Sequence, residues 1–243
     1  MKSFGHYLLF LASMFSNREK FRVYIGLIID ECVLIGTSSV FLVTIVSLFL
    51  GAVSSIQTAH NLISKFIPKY IIGLIVRDMT ILELAPTITA IILAGKVGSS
   101  IAGGLGTMRI TEQINALEVM GINSSSYLVL PKIIAAMLTF PMLVALAGFL
   151  LLWGGYTAGV GLGLLANNEY VYGIRYGFKE YNVLVAVIKA IVFGFLVSSI
   201  SAYEGFYTKG GALEVGQSST SAVTKSCVAI LLGDYFLAQL LLY

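Results

Sequence analysis

Residues 133–168 read IIAAMLTFPMLVALAGFLLLWGGYTAGVGLGLLANN, 36 residues without a single Asp, Glu, Lys or Arg. A helix rises about 1.5 Å per residue, so roughly 20 apolar residues cross the hydrocarbon core of a bilayer. A soluble domain of 243 residues has no interior large enough to bury such a stretch. The stretch therefore predicts a membrane protein whose helices are surrounded by lipid.

The composition of the whole chain agrees with a membrane protein. Hydrophobic residues make up 58% of the chain and charged residues 11%, where soluble domains carry about 25% charged residues. The net charge of +3 is small and scattered, which argues against a nucleic-acid partner. Charge-free stretches and their flanks predict one membrane domain with five spans: 33–53, 84–108, a part of 133–166, 182–203 and 226–243.

The N-terminal segment favours an amphipathic helix on the membrane surface over a signal peptide. His6 interrupts its apolar residues, no small-residue cleavage pattern follows, and charged residues come next. We therefore expect an all-α fold with an interfacial helix within residues 1–30 and a five-span bundle over 31–243. Four basic residues of this segment favour a cytoplasmic N-terminus: Lys2, Arg18, Lys20 and Arg22.

Small residues recur at a spacing of about one helical turn in two of the predicted spans. On one face such rows let another helix approach closely, which is how helices associate in lipid. The rows indicate either ordinary packing within the chain or a surface that faces a second copy or slides during a conformational cycle. Their members are Ala94, Gly98, Ala102 and Gly106, a parallel row of Gly95, Ser99, Gly103 and Thr107, and Gly155, Gly159 and Gly163.

The segment between the second and third spans predicts a short two-faced helix. Thr111 is a candidate N-cap and Gly121 a candidate left-handed stop, while Glu112 would complement the positive end of the helix dipole. Helices that rest in lipid headgroups usually carry Lys and Arg on the polar face, whereas this one carries acidic residues, which favours docking of a protein. The apolar side holds Ile114, Leu117 and Met120, and the opposite side holds Asn115 and Glu118.

Two ionisable residues lie near or inside the second span. Glu83 forms a possible capping box with Thr80, and Pro86 would bend an early turn of such a helix. The alternative is that Glu83 and Lys96 line a cavity, because ionisable groups at membrane depth usually face a cavity or a partner. They are 13 residues apart on one helix and cannot pair directly.

No catalytic constellation, metal-ligand spacing or P-loop is present in the sequence, so we expect no cofactor on this chain. Cys32 and Cys227 form no disulfide framework. The residues alone leave open an ATP-driven transporter subunit, a proton-coupled secondary transporter of a lipophilic substrate, and a structural scaffold. A lipid-modifying membrane enzyme would need a nucleophile–base pair or a metal cluster, and the sequence offers neither.

A long ungapped block narrows this choice. ELAP at 83–86, LAGKVGSSIA at 93–102, LGTMRITEQINALEVMG at 105–121 and YLVLPK at 127–132 resemble the MlaE-type permease family. The resemblance weakens but continues to LGDYF at 232–236 and covers most of the chain from about residue 35. It implies the membrane subunit of an ABC transporter that moves phospholipid in the envelope of Gram-negative bacteria, with relatives in chloroplasts.

The resemblance also implies partners and site residues. We expect a homodimer in the inner membrane, a cytoplasmic ATPase dimer that carries ATP and Mg²⁺, a periplasmic MCE-domain lipid carrier, and phospholipid as substrate. It leaves open whether a STAS-type accessory subunit joins. The cavity candidates are Glu83, Pro86 and Lys96. The ATPase-coupling segment includes Thr111, Glu112, Gln113, Ile114, Leu117, Glu118, Met120 and Gly121.

One position departs from the family pattern. Gly103-Gly104 stands where the family usually has a small residue followed by Glu. Any contact that this carboxylate makes in relatives therefore cannot be transferred to this chain. Neither the direction of transport nor the preferred headgroup can be read from the sequence.

Overall fold

The computed structural model describes residues 2–14, 21–62 and 68–242. Every regular element within these ranges is helical. The α-helices are α1 Lys2–Ser13, α2 Phe21–Asn61, α3 Tyr70–Met79, α4 Thr89–Leu93, α5 Ser99–Ile110, α6 Gln113–Val119, α7 Ser124–Leu128, α8 Leu130–Gly161, α9 Asn167–Arg175, α10 Glu180–Phe206 and α11 Ala212–Leu242. Two π-helical segments, Thr80–Ile88 and Ala94–Gly98, join α3, α4 and α5 end to end.

Within the described ranges, five helical stretches are long and apolar enough to cross a membrane, which confirms the predicted number of spans. They run over Val23–Asn61, Tyr70–Ile110, Ser124–Gly161, Glu180–Phe206 and Ala212–Leu241. The second stretch has 41 residues and is therefore about 60 Å long, twice the thickness of the hydrocarbon core.

The helices extend well beyond the predicted charge-free limits. Helix α2 begins at Phe21, inside the stretch assigned to the interfacial region, and α11 begins at Ala212 instead of residue 226. Charged residues such as Glu31 and Glu214 are accommodated inside the helices, so a search for uncharged runs stops too early. The predicted basic residues Arg18 and Lys20 lie outside the described residues.

Helix α1 has one face against protein and one exposed apolar face. Phe10 is buried, with its ring centroid 5.3 Å from that of Phe206, whereas Leu8 and Leu9 are exposed. The Tyr7 hydroxyl shares a 2.7 Å hydrogen bond with Ser199 Oγ, and burial raises the pKa of this phenol. These contacts tie α1 to the last turns of α10.

The contacts divide the chain into two units. The first contains the described parts of Met1–Ser39, Ala90–Phe140 and Ile191–Tyr243. In it, the small-residue face of α5 and the preceding π segment is buried against α10 and α11. A Cβ on Gly98 would lie 2.9 Å from Ser201 Oγ, and one on Gly106 would lie 3.2 Å from Val215 Cγ1. Ala94 and Ala102 of the same row are fully buried, so this row packs within the chain.

The second unit contains Val40–Thr89 and Pro141–Ala190. Here α2 and α8 cross with backbone against backbone, because a Cβ on Gly51 would overlap the Leu151 carbonyl and one on Gly154 would overlap the Leu48 carbonyl. This crossing was not predicted from the sequence. In lipid, close approach of this kind supplies the van der Waals contact that holds helices together.

Two of the three predicted small residues of the third span belong to the same packed face. A Cβ on Gly155 would lie 2.6 Å from the Tyr170 hydroxyl, and one on Gly159 would lie 2.8 Å from Ser55 Oγ. Gly163 does not pack with them, because α8 ends at Gly161 and nothing lies within 4 Å of a Cβ at Gly163. Its φ of 68° shows that it instead makes the left-handed turn after the helix.

The helix crossing gives a direct test of the fold. Gly154→Ala should lower the free energy of unfolding by about 1–3 kcal/mol, because the added methyl group forces two backbones apart. Gly161→Ala is the matched control on the same helix, since a Cβ there meets nothing within 4 Å. Thermal unfolding of both variants in detergent measures the difference. Equal midpoints would contradict the close crossing.

Candidate functional site

An ion pair lies in the membrane-spanning part of the second unit. Lys189 Nζ is 3.0 Å from Glu83 Oε1 and donates a second hydrogen bond of 3.0 Å to the Leu82 carbonyl. The lysine side chain is 0% exposed, whereas that of Glu83 is 47% exposed. The pair therefore presents a carboxylate at the surface of the unit and keeps its cation inside. The sequence shows both residues but not that they meet.

Pro86 removes the backbone donor that an α-helix would offer to the Leu82 carbonyl. In an α-helix this carbonyl would accept from the amide of residue 86, but proline has no N–H, and its ring clashes with the carbonyl four residues earlier. The helix widens to π geometry over Thr80–Ile88, and Lys189 supplies a donor to the carbonyl. Pro86 is buried inside the helix, so its effect is to shape the backbone that carries Glu83.

The capping box predicted for Thr80 and Glu83 is wrong. Thr80 continues the helix that began at Tyr70, and its hydroxyl makes no hydrogen bond within the described residues. A capping box needs a helix start with free amide groups, and the preceding turn has already used them. Of the two interpretations of Glu83, the one that places it beside a cavity or partner remains.

Lys96 belongs to a different set of contacts from Glu83. It lines a cavity of 280 Å³ in the first unit, together with Glu31 of α2 and Lys132 of α8. Lys132 and Glu31 form an ion pair across this cavity wall. The sequence analysis grouped Lys96 with Glu83 and Pro86 as candidates for one cavity. In the structure, the cavity beside Lys96 is lined by neither of the other two residues.

The predicted coupling segment contains a short helix, α6, but starts differently from the prediction. Thr111 does not cap α6, because it is the C-terminal cap of α5 and its hydroxyl donates back to the Thr107 carbonyl. Glu112 precedes α6 with a φ of 61°, a left-handed conformation that turns the chain between the two helices. Gly121 has a φ of 80°, as predicted for a left-handed stop.

Polar contacts hold the segment in place from one side. Arg109 donates a 2.9 Å hydrogen bond to Asn115 Oδ1, and Asn115 in turn donates to Glu112. The Ser124 hydroxyl donates to Glu118 at 2.8 Å, and Ile114 is fully buried. The acidic residues are thus partly engaged within the chain.

The end of α6 forms an exposed apolar tip, which we define as Val119 and Met120. Their exposed fractions are 88% and 65%, while Leu117 is only partly exposed and Gln113 is exposed. Ile114, Leu117 and Met120, predicted to lie on one side of the helix, therefore differ in exposure. Ile114 is buried and anchors α6, whereas Met120 belongs to the exposed tip. Val119 was not among the predicted coupling residues.

The structure adds a buried arginine that the sequence analysis did not single out. Arg77 donates hydrogen bonds of 2.9 and 2.7 Å to the carbonyls of Ile174 and Tyr176, at the C-terminal end of α9, and is 2.8 Å from Asp78. A cation at a helix C-terminus satisfies its last carbonyls and complements its dipole. This contact fixes α9 on α3 near the Glu83-bearing segment, and no spacing in the sequence indicates it.

Five helical stretches that are long and apolar enough to cross a membrane define a polytopic membrane protein. Comparison with known proteins gives the family. The family model described as Permease MlaE matches residues 28–240. The chain belongs to the MlaE permease family.

Named relatives agree with this assignment. A probable ABC transporter permease protein of Rickettsia bellii is 35% identical over 98% of this chain and 92% of the relative. The chloroplastic protein TRIGALACTOSYLDIACYLGLYCEROL 1 of Arabidopsis thaliana is 33% identical over 84% of this chain and 58% of that protein. The intermembrane phospholipid transport system permease protein MlaE of Haemophilus influenzae is 24% identical over 93% of this chain and 86% of that protein. The chain is therefore a permease subunit of an ABC transporter, in which a separate subunit carries the ATPase.

Proposed function

We propose that this permease moves phospholipid between the inner membrane of a Gram-negative bacterium and a periplasmic MCE-domain carrier. The observation that carries the proposal is the half-exposed Glu83 carboxylate, held within an apolar span by the buried Lys189. A charged group at this depth faces a polar path or a partner, since lipid tails cannot solvate it. The Haemophilus relative is an intermembrane phospholipid transport system permease protein, which supports phospholipid as the substrate class.

The proposed assembly contains two copies of the chain, a cytoplasmic ATPase dimer that binds ATP and Mg²⁺, and the MCE-domain protein. The N-terminus is cytoplasmic in this proposal, which places α6 on the ATPase side. A STAS-type subunit is a further partner to be sought in the purified complex. The proton-coupled alternative is not retained, because permeases of ABC transporters draw their energy from the ATPase subunit.

In the proposed mechanism, closure of the ATPase dimer pushes on the apolar tip of α6. Because α5 and α6 are joined by the Arg109, Glu112 and Asn115 contacts, the push reaches the helical stretch Tyr70–Ile110, which carries Glu83. A lipid is driven only if it interacts differently with the two states of its binding path. Glu83 and Pro86 supply that difference by presenting a carboxylate on a widened helix segment.

Photo-crosslinking tests the proposed lipid path without disturbing the ion pair. A photoreactive residue at Met79 lies one helical turn before Glu83 and is 47% exposed. Phe149 of α8, 67% exposed, is the control for ordinary contact with bilayer lipid. In membranes that contain the whole complex, phospholipid capture at Met79 should change on addition of ATP, while capture at Phe149 stays constant. Equal capture at both positions, indifferent to ATP, would refute the path.

A further inference from the structure

A second polar site lies in the first unit, apart from the Glu83 contacts. Its cavity of 280 Å³ is bordered by helix α2, by α8 and by the stretch from Lys96 to Ile101. Pockets for drug-sized molecules usually measure about 300–1,000 Å³. The cavity is therefore the right size for a small polar group and too small for a whole lipid.

The charges around this cavity do not balance. Its lining contains two ammonium groups, those of Lys96 and Lys132, and one carboxylate, that of Glu31. The carboxylate is paired with Lys132, and both of these side chains are about one-fifth exposed. Within the described ranges Lys96 forms no ion pair. One positive charge inside a candidate span thus lacks a counter-charge in the cavity lining, and an anion that enters the cavity would compensate it.

The remaining lining residues fit an amphiphile. Ser38 and Ser100 also line the cavity, and the Ser38 hydroxyl donates to the Ile35 carbonyl at 3.3 Å. Hydroxyl and ammonium groups are the donors that bind phosphate oxygens. The other walls are apolar, and Leu34 is 58% exposed beside the opening. An acyl chain can follow this side chain out of the cavity while its polar group stays inside.

We infer that this cavity is an anion site that takes a phosphate group, with Lys96 as the principal ligand and Lys132, Ser38 and Ser100 beside it. The inference goes beyond the proposed transport path, since Glu83 and Pro86 take no part in it. The phosphate belongs to a lipid headgroup or is free phosphate, and the two sources bind through the same donors. The apolar wall at Leu34 favours the lipid.

Native mass spectrometry of the full chain in detergent tests the site with three probes. These are phosphatidic acid, a diacylglycerol with the same acyl chains, and inorganic phosphate as a competitor. Phosphatidic acid should bind at least about tenfold more tightly than diacylglycerol, because only the former offers charge-assisted hydrogen bonds. Lys96→Gln should remove about tenfold in affinity, while Lys179→Gln, the same charge change at an exposed loop lysine, should have no effect.

The possible results separate cleanly. Displacement of phosphatidic acid by millimolar inorganic phosphate would assign the site to free phosphate, and resistance to displacement would assign it to the lipid. Equal binding of diacylglycerol, or unchanged binding in Lys96→Gln, would overturn the inference. Ser100→Leu provides a second variant that keeps every charge and fills the cavity, and it should weaken binding as well. The assay needs no ATPase, so its failure leaves the photo-crosslinking result at Met79 untouched.

Discussion

Val119→Asp is expected to reduce co-purification of the ATPase with the permease by at least about tenfold, while the permease still inserts into the membrane. Val119 is 88% exposed at the end of α6, beside Met120 at 65%. A hot-spot residue contributes about 2 kcal/mol or more to a protein interface, and a carboxylate placed in an apolar contact must also be desolvated. An exposed site contributes little to folding, so the loss should fall on binding alone.

The control for this variant is Leu162→Asp. Leu162 is 64% exposed and lies just after α8, far along the chain from α6. It receives the same substitution on an apolar side chain of similar exposure, and ATPase recovery should match that of the wild type. Full ATPase binding by Val119→Asp would show that α6 is not the docking element. Leu117 and Glu118 are poorer probes, because one is partly buried and the other accepts a hydrogen bond from Ser124.

Lys189→Met is expected to lower the free energy of unfolding by about 3 kcal/mol, at the low end for breaking a buried ion pair because Glu83 is half exposed. For a chain of this length, this corresponds to a fall of roughly 6–12 °C in the unfolding midpoint. The substitution leaves the Glu83 carboxylate and the Leu82 carbonyl without the donor that now reaches both. Thermal unfolding in detergent, followed by circular dichroism, measures the change.

A double-mutant cycle isolates the pair from the lysine's other contacts. Glu83→Gln keeps an oxygen acceptor for Lys189 but leaves its fully buried ammonium group without a counter-charge, so it should also be destabilising. If the two residues interact, the double variant should be more stable than the sum of the single effects predicts. Lys179→Met, at an exposed position outside the spans, provides the baseline. Strict additivity would mean that the two charges do not stabilise each other.

The sequence predicted the number of spans because hydropathy reports a requirement that lipid imposes on every residue of a span. The 36 uncharged residues before Glu169 made the third span unambiguous. Helix ends were less well predicted, because a charged residue such as Glu31 can lie inside a helix when Lys132 pairs with it. A search for uncharged stretches treats each charged residue separately and therefore does not detect such a pair.

Contacts between segments far apart in the chain could not be predicted from the sequence. Glu83 and Lys189 are 106 positions apart, and nothing in either neighbourhood indicates the other. The capping box at Thr80 was predicted wrongly for a similar reason. The four-residue sequence pattern of a capping box can occur at a helix start or inside a helix, and the sequence alone does not distinguish the two. The resemblance to a family correctly indicated a permease, but the exposed position of Val119 required the structure.

The π-helical segments on either side of α4 have a consequence for how this span is engineered and aligned. A π turn bonds residue i to i+5, so each segment holds about one residue more than an α-helix of the same hydrogen-bonding length. One residue corresponds to roughly 100° of rotation. A helical wheel of constant pitch that starts at Tyr70 therefore points α4 in the wrong direction, and the second segment shifts α5 again. Cysteine scans and designed contacts along this span therefore need a separate phase for each of the helices α3, α4 and α5.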